Sequence, residues 1–204
     1  MSKTEIILIG AGGHAKSCID VIEQQGKFKI AGLIGIKEEL GQKVCGYSIF
    51  GIDNDLPELI KEYKNAHISI GQIETDKRNN IYSQISNLGF SMPTIISPNA
   101  YISDHADIGN GNIVMHGVII NAGAKIGNNC IINTNALIEH DVQIDDGCHI
   151  STNSILNGNV KIGTGTFIGS SSCIKNNILI GKNCIIGMGL SVRQDVEDKS
   201  RFTG

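Results

Sequence analysis

The 204-residue sequence predicts an α/β amino-terminal domain over residues 1–92 and a triangular parallel β-solenoid over residues 93–204, with a short carboxyl-terminal tail. Two observations carry this reading. Every sixth residue from Ile96 to Val192 is aliphatic, without a break. Six is neither the helical period of 3.6 nor the strand period of 2, so the chain must turn through a repeated corner. Before that span, short aliphatic runs alternate with helical patterns, which is the mark of a small parallel sheet covered by helices.

Taken in order, residues 5–9 form a short aliphatic strand, and Gly10-Ala11-Gly12-Gly13-His14-Ala15 a glycine-rich turn. Residues 15–25 read as a helix with Cys18, Ile19 and Ile22 on one face, stopped by Gly26. The pattern then predicts a strand at 29–34, a helix near 56–63, a strand at 67–70 and a helix near 76–88. The Met92-Pro93 step marks the boundary. The turn fits G-x-G-x-x-A between strand and helix, where backbone amides and a helix terminus suit phosphate. A dinucleotide reader would also carry an acid at the end of the second strand for the ribose. Ile34-Gly35-Ile36 stands there, which disfavours NAD. A nucleotide joined to some other group remains, as does a turn that merely packs helix on strand.

Within the solenoid, the fourth residue after each aliphatic is mostly small or apolar, as at Ala100, Ala106, Val118, Ala124, Cys130, Ala136, Cys148, Ser154 and Val160. Both registers face inward. Glycine follows the aliphatic at Gly109, Gly127, Gly163, Gly169, Gly181 and Gly187, and the corners are expected there, where freedom from steric restriction is needed. The pattern resembles the hexapeptide repeat of left-handed parallel β-helices, in which three hexads make one coil. Neighbouring coils then pair as parallel strands roughly 4.8 Å apart, and residues 18 apart in sequence stack. An unslipped register predicts about five coils and no large loop. Cys130 and Cys148 should lie on adjacent coils, where a disulfide is geometrically conceivable. In a reducing compartment such interior cysteines are expected as free thiols acting as small hydrophobes.

Composition bounds the partners. A net charge of −3 without a basic run argues against nucleic acid. No segment approaches the ~18 consecutive apolar residues of a membrane span, and no secretory leader pattern opens the chain. A cytoplasmic protein with small-molecule ligands is expected. None of the six cysteines forms a CxxC pair, so neither a structural zinc site nor a redox motif is encoded.

His140 follows Ile138 by two residues and therefore points outward, either into solvent or into an interface. Prisms of this kind pack side by side as trimers, and a groove between two of them would suit a general base. Asp141 is placed to orient the imidazole. Gly158 lies 18 residues on, one coil away, and its missing side chain leaves a backbone N–H for an oxyanion. A base beside a bare amide is an acyl-transfer arrangement. Zinc held by His105, His116, His140 and His149 is the competing reading. No two of these are separated by a multiple of 18, so the spacing does not favour it and no metal is expected.

The Gly10-Ala11-Gly12-Gly13-His14 turn, Leu137-Ile138-Glu139-His140-Asp141, Ile150-Ser151-Thr152-Asn153 and Leu156-Asn157-Gly158-Asn159-Val160 resemble bacterial hexapeptide sugar acetyltransferases, those acting on sialic acids and on bacillosamine-type aminosugars. The resemblance covers nearly the whole chain. It implies transfer of acetyl from acetyl-CoA to an amino group of a nucleotide-linked aminodeoxy sugar in surface-glycan biosynthesis, by a homotrimer with sites between subunits. It makes His140 the base and Asp141 its acidic neighbour. Asn133, His149, Gly158, Ser170 and Met188 match positions lining the acetyl-CoA groove, and Gly12, Gly13, His14 and Gly71 those holding the sugar nucleotide. O-acetylation of sialic acid is the runner-up, and a zinc hydratase or a non-catalytic pathway partner are the readings outside this class. Two departures stand out. Gly35-Ile36 replaces the acidic residues that related N-acetyltransferases use to grip the nucleotide, which disfavours uridine, leaves a different nucleotide or a free sugar acid open and predicts weak nucleotide selectivity. The sequence also stops at Phe202-Thr203-Gly204, before the usual Gly-x-Pro-Ala closing segment.

Overall fold

A computed structural model describes residues 3–71 and 76–203; Gly204 of the tail lies outside the described residues. The first strand, β1 (Thr4–Ile9), leads through the glycine turn into helix α1 (Gly13–Gln25), which Gly26 ends in the left-handed conformation. Then follow β2 (Phe28–Gly35), β3 (Lys43–Val44), β4 (Tyr47–Ile52), α2 (Leu56–Glu62), β5 (Asn65–Ile68) and α3 (Asp76–Asn87). Their sheet has the order β3-β4-β2-β1-β5, all pairs parallel except β3 with β4. The antiparallel edge is a hairpin that the sequence reading did not include. Its two-residue turn places Cys45 and Gly46 at positive φ, and Cys lacks the Asn or Asp signal that announces such turns.

From Ile95 to Phe202 the chain forms two-residue strands in three parallel sheets of seven, six and five strands. Partners are 18 residues apart, as in Ile119↔Leu137, Ile131↔His149 and Lys125↔Gln143. The offset holds through Cys173↔Ser191 and shortens to 16 at the end of the solenoid, in Ile180↔Val196 and Ile185↔Arg201. This is the prism of a left-handed parallel β-helix, free of large insertions. Both inward registers are buried, including Ile120, Ile138 and Ile150 and, four residues after each aliphatic, Ala124, Val142 and Val160. Ser154, Thr166 and Ser172 share the second register, and their hydroxyls donate to the carbonyls of Gly169, Gly181 and Gly187. Cys130 and Cys148 are free and buried, and each thiol points at a coil carbonyl, of Asp145 and Gly163 respectively, at 3.2 Å.

The corners do not sit where the glycines after the aliphatics led us to expect. The positive-φ position lies three residues after the aliphatic and forms an unbroken column of Gly, Asn, Asp and Ser. It runs through Gly111, Gly117, Gly123, Asn129, Asn135, Asp141, Gly147, Asn153, Asn159, Gly165, Ser171, Asn177, Asn183 and Gly189. Glycine pays no steric cost there, and Asn and Asp are the side chains that visit this region most readily. Gly163 and Gly169 answer a different need. A Cβ on Gly169 would stand 2.5 Å from the Gly187 carbonyl carbon, and one on Gly163 2.8 Å from that of Gly181. These glycines let successive coils approach.

The two units are joined by buried contacts. The α1 residues Cys18, Ile19 and Ile22 share one core with Ile95 and Ile113 of the first coils. His116 bridges from Ser97 Oγ (2.7 Å) to Asp20 Oδ2 of α1 (2.8 Å). From α3, the buried Arg78 guanidinium donates to the carbonyls of Asn129, Gly147 (2.7 Å) and Cys148 (3.3 Å).

Candidate active site

A pocket of about 380 Å³ opens at the carboxyl ends of the N-terminal strands, the place where parallel sheets bind ligands. Gly10 makes its turn possible. It holds φ +108, and a Cβ there would meet Ile70 Cγ1 at 2.6 Å. Ser69 Oγ donates to the Gly10 carbonyl (2.6 Å) and ties the turn to the end of β5. Gly12 is the N-cap of α1 and supplies no side-chain cap, so the Gly13 and His14 amides stay available to an anion, while the Ala15 N–H donates back to the Gly12 carbonyl (3.1 Å). Cβ atoms on Gly12 or Gly13 would meet nothing within 4 Å, which shows that these two face open pocket.

His14 lies against Gly71, whose Cβ would fall 2.7 Å from His14 Cγ. Burial, with Arg78 adding to it, pushes the His14 pKa down to about 4. His67 on β5 is pushed to about 3, by burial first and then by His14 and Arg78. Both imidazoles are therefore neutral near pH 7. Gly12, Gly13, His14 and Gly71 thus share one pocket. Sequence reasoning missed four polar lining residues, Glu39, Asp53, Ser69 and Lys77. It also missed the buried Arg78 and His67, whose proximity depends on the packing of α3 and β5 against α1.

On the solenoid, His140 and Asp141 sit at the corner between the six- and five-stranded sheets, with His140 Nδ1 2.9 Å from Asp141 Oδ2. Both are exposed. Asp141 is itself a corner residue, at φ +61. Gly158 lies directly beneath the imidazole, since a Cβ on it would come 2.5 Å from His140 Nε2. The space left by the glycine is thus filled by the histidine ring, and the glycine's first role is to seat it.

Ser170 and Met188 occupy the opposite corner, between the seven- and six-stranded sheets, where Met188 is 80% exposed and Ser170 Oγ meets Ser151 Oγ at 2.8 Å. Asn133 Nδ2 reaches His149 Nε2 at 3.4 Å, and His149 packs edge-on against Phe167. Of the residues expected to hold acetyl-CoA, Asn133, His149, Ser170 and Met188 therefore stand at or beside one edge of the prism, whereas Gly158 lies with His140 on the next. One chain does not bring the two sets together. Between them runs the outer face of the six-stranded sheet, carrying Tyr101, Ile119, Leu137, Ile155 and Cys173, whereas the five-stranded sheet presents Asp107, Lys125, Gln143, Lys161 and the exposed Leu179. Tyr101 and Ile119 are 60% and 42% exposed. Among the described residues, no group of three or more His, Cys, Asp or Glu side chains is placed to hold a metal, and His116 is engaged by Ser97 and Asp20.

An α/β pocket with an uncapped helix terminus, joined to a hexapeptide prism with a histidine–carboxylate pair at its corner, defines a hexapeptide-repeat acyltransferase. Residues 5–85 match the PglD N-terminal domain, residues 123–158 the bacterial transferase hexapeptide (six repeats), and residues 159–194 the hexapeptide repeat of succinyl-transferase. PerB from Caulobacter crescentus, solved in complex with CoA and GDP-perosamine, is 31% identical with TM-score 0.90, over 97% of this chain and 92% of that one. The acetyltransferase domain of PglB from Neisseria gonorrhoeae, solved with acetyl coenzyme A, is 28% identical with TM-score 0.89, over 97% and 95%. WeeI from Acinetobacter baumannii is 25% identical with TM-score 0.84, over 96% and 94%. No curated protein sequence matches the chain. The chain belongs to the PglD-type hexapeptide sugar N-acetyltransferases, and it is an acyltransferase.

Proposed function

We propose that this enzyme transfers acetyl from acetyl-CoA to an amino group of a nucleotide-linked aminodeoxy sugar, in the cytoplasm, as a step of surface-glycan assembly. The observation that carries this is the pairing of the phosphate-ready pocket with the His140 corner, on a chain that aligns along 97% of its length with PerB bound to CoA and a sugar nucleotide. The division of labour follows the two units. Residues 1–92 hold the acceptor through Gly12, Gly13, His14 and Gly71, and residues 93–204 hold acetyl-CoA and carry the chemistry.

The working enzyme is a homotrimer. Of the three prism faces, one meets α1 at its first coils, one is polar apart from Leu179, and the apolar one carrying Ile119 and Leu137 has the two half-sites at its edges. Packing such faces around a threefold axis buries the apolar stripe and sets the His140 edge of one subunit beside the Ser170–Met188 edge of the next. In that groove the acceptor amine attacks the thioester carbonyl. A C–N bond forms, His140 Nε2 takes the amine proton, the C–S bond breaks, and the CoA thiolate leaves. Asp141 holds the imidazole through Nδ1–H, and the Gly158 N–H faces the oxyanion.

The test is release of free CoA from acetyl-CoA with a panel of amino-sugar nucleotides and free sialic acids, the product being identified by mass spectrometry and by its resistance to mild base. An amide on a sugar nucleotide supports the reading; an ester on a free sialic acid overturns it. Sedimentation should give three times the 21.8 kDa chain mass, and a fully active monomer would rule out the shared site.

A further inference from the structure

The sequence offers no acid at Gly35-Ile36, yet the structure delivers one to that spot by another route. Glu39, on the short turn Lys37–Glu39 after β2, folds its side chain back so that Oε2 accepts the Ile36 N–H at 3.0 Å. Gly35 is what admits it: a Cβ there would stand 2.7 Å from Glu39 Oε2. The half-buried carboxylate lines the pocket, and Asp53, at the end of the neighbouring strand β4, brings a second. Two carboxylates thus stand at the rim where Gly35 and Ile36 alone would offer none.

The sheet order sets these groups out along one rim. From β5 to β4 the pocket presents Lys77 and Gly71, then the open amides of the β1 turn, then Gly35, Ile36 and Glu39 beyond β2, and last Asp53. Cation and amides stand at one end, carboxylates at the other. Ile36, 54% exposed, and Ala11 give apolar surface just before the carboxylates. A nucleoside diphosphate sugar has the complementary order only if its diphosphate lies on the β1 turn, its base reaches Ile36 and Glu39, and its sugar points to His14 and Gly71. That last end adjoins Arg78 and the solenoid.

We propose that Glu39 reads the base and selects guanine, so that the acceptor is a GDP-linked amino sugar. A carboxylate offers only acceptors. Guanine presents two adjacent donors, N1–H and the N2 amino group, which a carboxylate accepts side by side. Uracil and thymine present one N–H flanked by two carbonyl oxygens, which the carboxylates repel. Adenine sets an acceptor beside its amino group. The inference rests on the nucleotide-sugar reading given above and adds to it the identity of the base.

The test is calorimetric titration of the full-length protein with GDP, UDP, dTDP and ADP, and separately with acetyl-CoA, for the wild type and for Glu39→Gln. Gln keeps an oxygen for the Ile36 N–H, so the turn persists, and a thermal melt matching wild type checks this. GDP should bind about ten- to a hundredfold tighter than the other three, and Glu39→Gln should remove most of that margin by turning an amide N–H₂ toward the base donors. If UDP, dTDP or ADP binds as tightly as GDP, or if Glu39→Gln leaves GDP affinity unchanged, the base assignment is overturned while the nucleotide pocket stands. If acetyl-CoA binds and no nucleotide does, the nucleotide-linked acceptor itself is overturned, and the base assignment with it.

Discussion

The His140 imidazole fills the space that a side chain on Gly158 would need: a β-carbon there would stand 2.5 Å from Nε2 and 2.6 Å from Cε1. Gly158 is not one of the positive-φ corner residues, so alanine fits its backbone and only the ring has to move. Gly158→Ala should therefore lower kcat by about ten- to a hundredfold, the scale of misplacing a reacting group by an ångström, with little change in melting temperature. Steady-state kinetics beside a thermal melt checks this, and unchanged kcat would show that the ring's position is immaterial.

Direct removal of the base should cost more. His140→Ala is expected to cut kcat by ~10²–10⁴, the usual worth of a positioned general base, while acetyl-CoA affinity largely persists because all the residues proposed to hold it except Gly158 lie away from this edge.

Asp141 has two duties, holding His140 Nδ1 and turning the corner at φ +61. Asn meets the second and partly the first, so Asp141→Asn should retain wild-type stability and lose activity by a smaller factor than His140→Ala. Asp141→Val should in addition destabilise by roughly 1–2 kcal/mol, the cost of a β-branched side chain without local hydrogen bonds in the left-handed region. Melting temperatures of the two variants distinguish the duties.

Gly12 faces open pocket at the uncapped end of α1, with ordinary negative φ. Gly12→Val should fold normally, raise the acceptor KM about tenfold or more by occupying the anion's place, and leave the acetyl-CoA KM unchanged. A variant that weakens acetyl-CoA instead would assign the turn to the donor.

The sixfold register was legible because the prism interior accepts only small or aliphatic side chains at two positions per hexad, so burial writes itself directly into the sequence. The corner was also written there, as the unbroken Gly/Asn/Asp/Ser column from Gly111 to Gly189, but the glycines at Gly163 and Gly169 were the more conspicuous. Glycine has two uses, positive φ and close approach, and the letter alone does not tell them apart. The Glu39 carboxylate was hidden for another reason. It reaches the rim from three residues beyond Ile36 because Gly35 leaves room, a relationship that exists only once the turn is folded. The proposed pairing of the two half-sites across subunits likewise depends on which prism face stays uncovered, and that follows from where α1 docks.

The buried His14 and His67 give the fold a pH dependence of definite sign. Both have folded-state pKa values pressed below the ordinary 6.5, to about 4 and about 3, chiefly by burial. Between pH 6.5 and 4 the unfolded chain takes up protons that the folded chain refuses, so their contribution is complete above pH 6.5 and drains away as the pH falls. Each histidine approaches a loss of about 1.4 kcal/mol per pH unit below its unfolded pKa, where that slope sets in gradually, so the pair should remove about 3 kcal/mol between pH 6.5 and pH 5. Asp20, held below its ordinary 3.8 by the hydrogen bond from His116, acts only under more acid conditions and does not confuse the slope. Denaturant unfolding from pH 7 to pH 5 should show this fall. His67→Leu should reduce the slope to about half, since one of the two proton-binding sites of the unfolded state is gone. A wild-type stability that stays flat across the window would mean that the two imidazoles gain compensating partners on protonation, and that their burial in this cluster is not what the pH profile reads.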